Sequence, residues 1–325
     1  MHKHTRLSKR NTDSSRIKKG GCTVKMSSAQ VAAKMVKGLE VEDWTLLKAF
    51  ESSISSFESV PFEKLMKLSG LHRDQLRFRL GKLNSAGFVM KTHFGYILNT
   101  AGLDAIALNG LVKRNIISAL GRSIGMGKES DVFEASNDKG ETSVVKFYRI
   151  GRISFRATRR SRSYVSSESQ HQWLSINIHA ALKEEKALKQ VIKVGVNSPQ
   201  FIGREKHAVV MALIEGKMLY KCSPRDISNP SELLTQILQN ERLAYNKADM
   251  INCDISEYNI LYDGERPWII DWPQFVNSIH PNAEELLRRD VENSLSFFRR
   301  KFGIELETET ALSFVKGKHA QLRID

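Results

Sequence analysis

The stretch from Ile251 to Asp271 constrains this 325-residue chain more than any other. Ile260-Leu261-Tyr262 and Trp268-Ile269-Ile270 flank Asp263-Gly264, which is the pattern of a short β-hairpin. A hairpin brings its outer ends together, so Asn259 and Asp271 are expected side by side, with Asp254 on the loop leading in. Two carboxylates and a carboxamide placed this way can hold Mg²⁺ through hard oxygen ligands while one carboxylate orients a nucleophile. Asp and Asn are also ordinary turn residues, and a D-x-x-x-x-N spacing arises by chance. Phosphoryl transfer therefore requires further parts upstream, in order.

Those parts are present. Gly125-Met126-Gly127-Lys128-Glu129-Ser130 precedes Asp131–Ala135, a predicted strand, and glycines let a backbone approach phosphates closely. A Walker A loop is excluded, because Glu129 follows Lys128 and Arg122 stands where the first glycine is required. The stretch reads instead as a Gly-rich hairpin with Ser130 in place of the third glycine. After a turn at Asn137–Gly140, Ser143–Tyr148 reads as a strand with Lys146 inside it. A lysine in apolar company needs an anion, which ATP phosphates supply; a lysine snorkelling from an edge strand is the plain alternative. The helix expected over Trp173–Val194 has Ala181, Leu188, Val191 and Ile192 on one face, with Glu184 on or beside it and Glu185 able to exchange places with it. Ala208–Ile214 reads as a buried strand running into a hinge at Glu215-Gly216, with backbone groups of Ala212 to Ile214 facing adenine and Met211 behind it.

The N-terminal third has a different character. Residues 1–25 carry eight Lys and Arg against Asp13 alone, about half of the net charge of +14, and have too few apolar residues to fold unaided. They read as a basic flexible tail over 1–27 that binds phosphates, although Met26 offers an alternative start. Helical segments follow around Val31, Met35 and Leu39, around Trp44–Phe50, over Pro61–Leu68, and over Arg73–Leu83. Two predicted strands, Phe88–Met90 and Tyr96–Leu98, surround a turn containing Gly95. Three of these helices and a two-stranded wing resemble a winged-helix domain, expected over 28–103 with Arg73–Leu83 as recognition helix. Its cations Arg73, Arg77, Arg79 and Lys82 are the expected nucleic-acid contacts, a solvated helix face being the plain reading. A linker helix over 104–119 leads into the second unit.

Gly125–Ala135 followed by Lys146–Tyr164, with its run Arg149-Ile150-Gly151-Arg152 and a Ser-rich stretch to Ser169, resembles the RIO family of atypical serine/threonine protein kinases. The winged helix in front resembles its type-two subfamily, at a length like that of archaeal members, and the likeness covers most of residues 28–300. It implies an α+β chain in which the winged-helix domain precedes a compact two-lobed protein-kinase-like domain. The N-lobe spans 120–213 with a basic loop over 149–170, and a reduced C-lobe spans 214–325. By the same resemblance Asp254 is the catalytic aspartate, Asn259 and Asp271 are metal ligands, and Lys146 pairs with Glu184. ATP with Mg²⁺, or Mn²⁺ in its place, is the implied cofactor set. The implied partner is the small-subunit preribosomal particle with its RNA, and hydroxyls of the loop are autophosphorylation candidates.

Departures qualify the likeness. Asn252 stands where kinases carry His, Trp272-Pro273-Gln274 follows Asp271, and no Ala-Pro-Glu follows. A kinase or ATPase that phosphorylates itself is thus expected, with little activity on free peptides. The alternatives are a catalytically silent nucleotide-binding scaffold and a winged-helix DNA-binding regulator. Three dispersed cysteines, no run of about 20 apolar residues and no signal-type N-terminus predict a soluble cytoplasmic protein with no membrane partner.

Overall fold

The computed structural model describes residues 16–19, 22–151 and 167–322, and side chains over 26–151 and 172–322. Within the expected tail, β1 (Arg16–Lys19) and β2 (Cys22–Lys25) pair antiparallel, so that part is not irregular. The first fifteen residues and most of the basic Ser-rich loop, with its candidate phosphorylation sites, lie outside the described residues. Two compact units follow, one built on residues up to Gly110 and one on residues from Leu111.

The first unit begins with α1 (Ser28–Met35), whose N-terminal N–H groups are closed by a capping box between Ser27 and Gln30. The expected stripe through Leu39 breaks here: α1 stops at Met35, a 3₁₀ turn over Val36–Gly38 follows, and Met35 is 38% exposed. Gly38 cannot sustain the helix. α2 (Val41–Ser53), α3 (Phe62–Ser69) and α4 (Arg73–Ser85) bury Leu46, Leu47, Phe50, Leu65, Leu76, Leu80 and Leu83. Gly70 ends α3 at φ 68°, the left-handed cap that glycine adopts without Cβ strain. β3 (Val89–Lys91) pairs with β4 (Tyr96–Leu98) as the wing, and Val60 bridges to Tyr96. A side chain on Gly95 would collide with the Val60 carbonyl. α5 (Thr100–Lys113) continues past the end of this unit.

The second unit opens on an antiparallel five-stranded sheet. Its strands are β5 (Ala119–Met126), β6 (Ser130–Ser136), β7 (Thr142–Tyr148), β8 (Phe201–Glu205) and β9 (Ala208–Ala212), in the order β5-β6-β7-β9-β8. Central β7 is buried from Ser143 to Tyr148, which puts Lys146 inside the protein. The long helix α6 (Ser167–Lys193) contributes Ala181, Leu188 and Val191 to the core. Beyond the hinge, α7 (Pro230–Ala248), capped by the Asn229 side chain on Glu232 N, packs with α8 (Ala283–Phe302) and α9 (Thr308–Val315). The last of these helices has no counterpart in the sequence reading. A small sheet, β10 (Lys217–Met218), β11 (Ile260–Tyr262) and β12 (Pro267–Ile269), carries the expected hairpin, one residue earlier on its second strand. Among the described residues no helix is long and apolar enough to cross a membrane.

Candidate active site

The β11–β12 hairpin does what its sequence requires. Ile260 pairs with Ile269, and Ile270 N donates to Asn259 O at 3.0 Å, so Asn259 and Asp271 flank the open end. Asn259 Nδ2 donates to Asp254 Oδ2 at 2.7 Å and to its carbonyl at 2.9 Å. With its amide nitrogen committed to Asp254, Asn259 has its Oδ1 on the other side of the carboxamide. Burial raises the Asp254 carboxyl above its usual range against the opposing Asn259 hydrogen bond.

Asn252 explains how the loop works without the usual histidine. Its Nδ2 donates to Asp271 O at 2.7 Å and its Oδ1 accepts Asp254 N at 3.0 Å, so one side chain ties the two acidic segments together. Asp290 of α8 holds the same loop from below, accepting Cys253 N at 2.7 Å and Ile255 N at 3.3 Å. Cys253, between them, sits at φ 69°, a left-handed conformation costly for a residue with a Cβ. Burial pushes Asp290 up to about 7, and burial likewise raises Glu241, which shares with it a cavity of about 10 Å³ beneath the loop. Asp290 escaped the sequence reading, although an acid between Leu287 and Val291 on an apolar helical face is a legible signal.

Lys146 reaches this loop from β7. Its Nζ donates to Asp271 Oδ1 at 2.8 Å and lies 3.7 Å from Glu184 Oε1. Burial lowers its pKa, but the two carboxylates outweigh that and the net direction is upward, so the ammonium stays charged. Glu184 rather than Glu185 takes this place: Glu184 is fully buried, whereas Glu185 pairs outside with Lys189 and Arg204. Glu184 Oε2 accepts both Tyr148 OH and Trp272 N at 2.9 Å. Trp272 in turn is buried, and its Nε1 donates to Ser198 Oγ at 3.0 Å.

At the other expected positions, Gly127 N donates to Ser130 O at 2.8 Å, closing the β5–β6 turn that carries exposed Lys128. A Cβ on Gly125 or Gly127 would meet nothing nearer than 3.4 Å, so packing does not demand these glycines. Met211 is buried, and Ala212 N is spent on Gln200 O at 2.8 Å.

On the winged helix the structure divides the four expected cations. Arg79 is buried and pairs with Glu40 at 2.9 Å, Glu42 at 3.2 Å and Asp43 at 3.4 Å. Lys82 pairs with Asp43 at 2.7 Å and Glu40 at 3.0 Å. Both are committed to the start of α2, a correction to their reading as phosphate contacts. Arg73, which pairs with Glu63, and Arg77, at 3.5 Å from Asp74, remain exposed.

A two-lobed fold with a lysine from the sheet, an acid from the helix beside it, and an Asp-Asn-Asp set on loops below defines a protein-kinase-like phosphotransferase. The chain matches the RIO domain over residues 131–311 and the Rio2 N-terminal domain over residues 36–114, and it belongs to the RIO family of serine/threonine protein kinases, in its Rio2 group. It is 33% identical over 256 residues to the RIO-type serine/threonine-protein kinase Rio2 of Methanocaldococcus jannaschii, covering 78% of this chain and 94% of that one. It is 33% identical over 279 residues to the serine/threonine-protein kinase RIO2 of Caenorhabditis elegans, covering 84% of this chain and about half, 52%, of that longer one. Among solved structures, the Rio2 kinase–ADP/Mg²⁺–phosphoaspartate complex from Chaetomium thermophilum matches at a TM-score of 0.72 and 31% identity, over 89% of this chain and 90% of that one.

Proposed function

We propose that this chain is an ATP- and Mg²⁺-dependent kinase or ATPase that phosphorylates itself and acts in maturation of the small ribosomal subunit. The observation that carries the chemical part is the Lys146–Asp271 contact at 2.8 Å beside the Asp254–Asn259 pair, which assembles a charged lysine and three oxygen-bearing side chains at one point. The ADP and Mg²⁺ of the Chaetomium thermophilum complex support the same ligands here.

The residues fit those ligands. Asn259 Oδ1 and the carboxylate of Asp271, 30% exposed, are hard oxygens suited to Mg²⁺, which supplies charge neutralisation at phosphates when bound. Mn²⁺ takes the same oxygen donors. Lys146, held by Glu184, presents its ammonium to the α- and β-phosphates. Gly125, Gly127 and Ser130 let the β5–β6 turn approach them closely, since neither glycine is there for packing, and Lys128 adds charge on that turn. The Ala212 carbonyl and Ile214 backbone face the base, with Met211 behind. Asp254, on the loop beside Asn259, orients the acceptor.

With no Ala-Pro-Glu segment after Asp271, nothing corresponds to the platform that holds peptides in ordinary kinases, so the acceptor is water or the protein itself. The phosphoaspartate in the Chaetomium thermophilum complex favours the Asp271 carboxylate over a loop hydroxyl as that acceptor. Small-subunit RNA, contacted by Arg73 and Arg77 on α4, and a cytoplasmic location complete the proposal. Tagged protein recovered from cells should carry small-subunit RNA, and purified protein should hydrolyse ATP without phosphorylating generic peptides. Recovery of promoter DNA instead would favour the DNA-binding alternative, and fast peptide turnover would defeat the acceptor argument.

A further inference from the structure

The turn that joins Asp254 to Asn259, closed by Asn259 N donating to Ser256 O at 3.0 Å, carries a residue to which the phosphoryl-transfer machinery assigns no role. Tyr258 projects from it with 60% of its surface exposed. Tyr220, on the 3₁₀ turn Leu219–Lys221 after β10, lies against it with ring centroids 5.0 Å apart and planes inclined by 37°. Tyr220 is itself 40% exposed, and its N–H donates to Glu257 O at 3.0 Å, so its backbone is fastened to the catalytic loop. Two large rings exposed side by side are unusual, because an aromatic ring recovers most of its burial energy only when covered. Their exposure is not required by packing: both lie on the rim of the loop rather than across a core.

Cations surround the pair. Lys221 Nζ stands 5.4 Å from the Tyr220 ring centroid, Lys301 Nζ donates to Tyr220 O at 3.1 Å, and Arg300 reaches Glu257 at 3.1 Å. This clustering is local. Outside the tail, the winged helix and the basic loop, residues 111–148 and 171–325 carry 26 Lys and Arg and 26 Asp and Glu, so positive charge is not a general property of the fold. Three cations against one paired glutamate beside two stacking faces match a polyanion whose bases are unstacked and available.

We propose that Tyr220 and Tyr258 form a stacking shelf for an unpaired base of single-stranded RNA, with Lys221, Arg300 and Lys301 taking the flanking phosphates. The shelf holds RNA beside Asp254, at the mouth of the phosphoryl-transfer site, and is separate from the winged helix. Only its position relies on the active-site reading; the binding chemistry does not depend on which RNA the cell supplies. A protein acceptor presenting an aromatic side chain is the competing occupant, but it has no use for three cations.

The test is photocrosslinking of a 5-iodouridine-substituted U12 oligomer to the full-length chain, mapped by mass spectrometry, with affinity followed by fluorescence anisotropy. Crosslinks are expected on Tyr258 and Tyr220. Each Tyr→Ala change is expected to weaken U12 binding at this face about tenfold, as base stacking on aromatics implies, and Tyr→Phe to retain it. Lys221→Ala should flatten the salt dependence without abolishing the crosslink. Thermal unfolding of the Ala variants, unchanged from the parent, separates lost stacking from lost folding. Crosslinks confined to the tail or α4, or an aromatic peptide that crosslinks at the tyrosines where U12 does not, would overturn the assignment. U12 crosslinking at the shelf in a protein that shows no preference for small-subunit RNA would leave the shelf standing and count against the small-subunit role alone.

Discussion

Lys146 and Asp271, 125 residues apart, meet at 2.8 Å, while Glu184 stands 3.7 Å from the same ammonium. The lysine is thus shared between a fully buried acid and a 30% exposed one, and the exposed partner is the one that a cation and phosphates can draw away. Glu184 cannot follow, because Tyr148 OH and Trp272 N hold its other oxygen.

Lys146→Ala should therefore weaken ATP binding about tenfold to a hundredfold, the worth of a lost charge-assisted contact. Asp254→Ala should leave the ATP dissociation constant within about threefold and cut turnover by about 10²–10⁴. Calorimetric titration with a non-hydrolysable analogue, beside single-turnover hydrolysis, separates the two. Equal turnover in Asp254→Ala and the parent would remove Asp254 from the chemistry.

The acceptor can be read chemically. After reaction with γ-labelled ATP, label on an Asp271 carboxylate is released by hydroxylamine, whereas a serine ester in residues 154–169 survives it. The expectation is a hydroxylamine-labile fraction absent from Asp271→Asn. Label that fully resists hydroxylamine would assign the acceptor to the loop.

On the winged helix, Arg79 and Arg77 should separate stability from binding. Arg79→Ala takes one of two cations from fully buried Asp43, which keeps Lys82 at 2.7 Å, and should cost about 1–3 kcal/mol in urea unfolding of this unit. Arg77→Ala, at an exposed position with one long ion pair and a distant contact to the Phe62 ring at 6.0 Å, should change stability by less than about 0.5 kcal/mol. It should instead reduce the log–log salt slope of RNA binding by about one unit if a phosphate contact is lost. An unchanged slope would make that helix face merely solvated.

Asp290 makes stability depend on pH. Its folded-state value of about 7 lies above the 3.8 of an ordinary aspartate, so between those values the folded protein holds a proton that the unfolded chain releases. Stability contributed by this group is present below about pH 4 and lost as pH rises to about 7, a change on the order of a few kcal/mol. Glu241 acts in the same direction. Urea unfolding between pH 5 and 8 should show a falling component that Asp290→Asn reduces and the added Glu241→Gln removes. A parent whose slope matches that of the double variant would refute it.

The hairpin at Asp263-Gly264, the buried strand around Lys146 and the winged-helix pattern were legible in the chain because each depends on local periodicity or turn chemistry. The RIO membership was legible for the same reason, since its motifs are short and ordered along the sequence. Which of two adjacent acids faces Lys146 was not. Glu184 and Glu185 differ by 100° around a helix, and only the packing of α6 against the sheet turns one inward and leaves the other with Arg204. Arg77 and Arg79 are likewise two cations on one helix whose fates are set by what lies across from them, three carboxylates at the start of α2 for Arg79 and solvent for Arg77. The roles of Asn252, Asp290 and Tyr148 depend on partners 19 to 37 residues away, at distances that only the closed fold sets. Sequence thus determined which chemistry is present, and tertiary structure decided which copies of each side chain are spent on holding the fold and which remain for function, because burial and pairing are properties of the assembled neighbours.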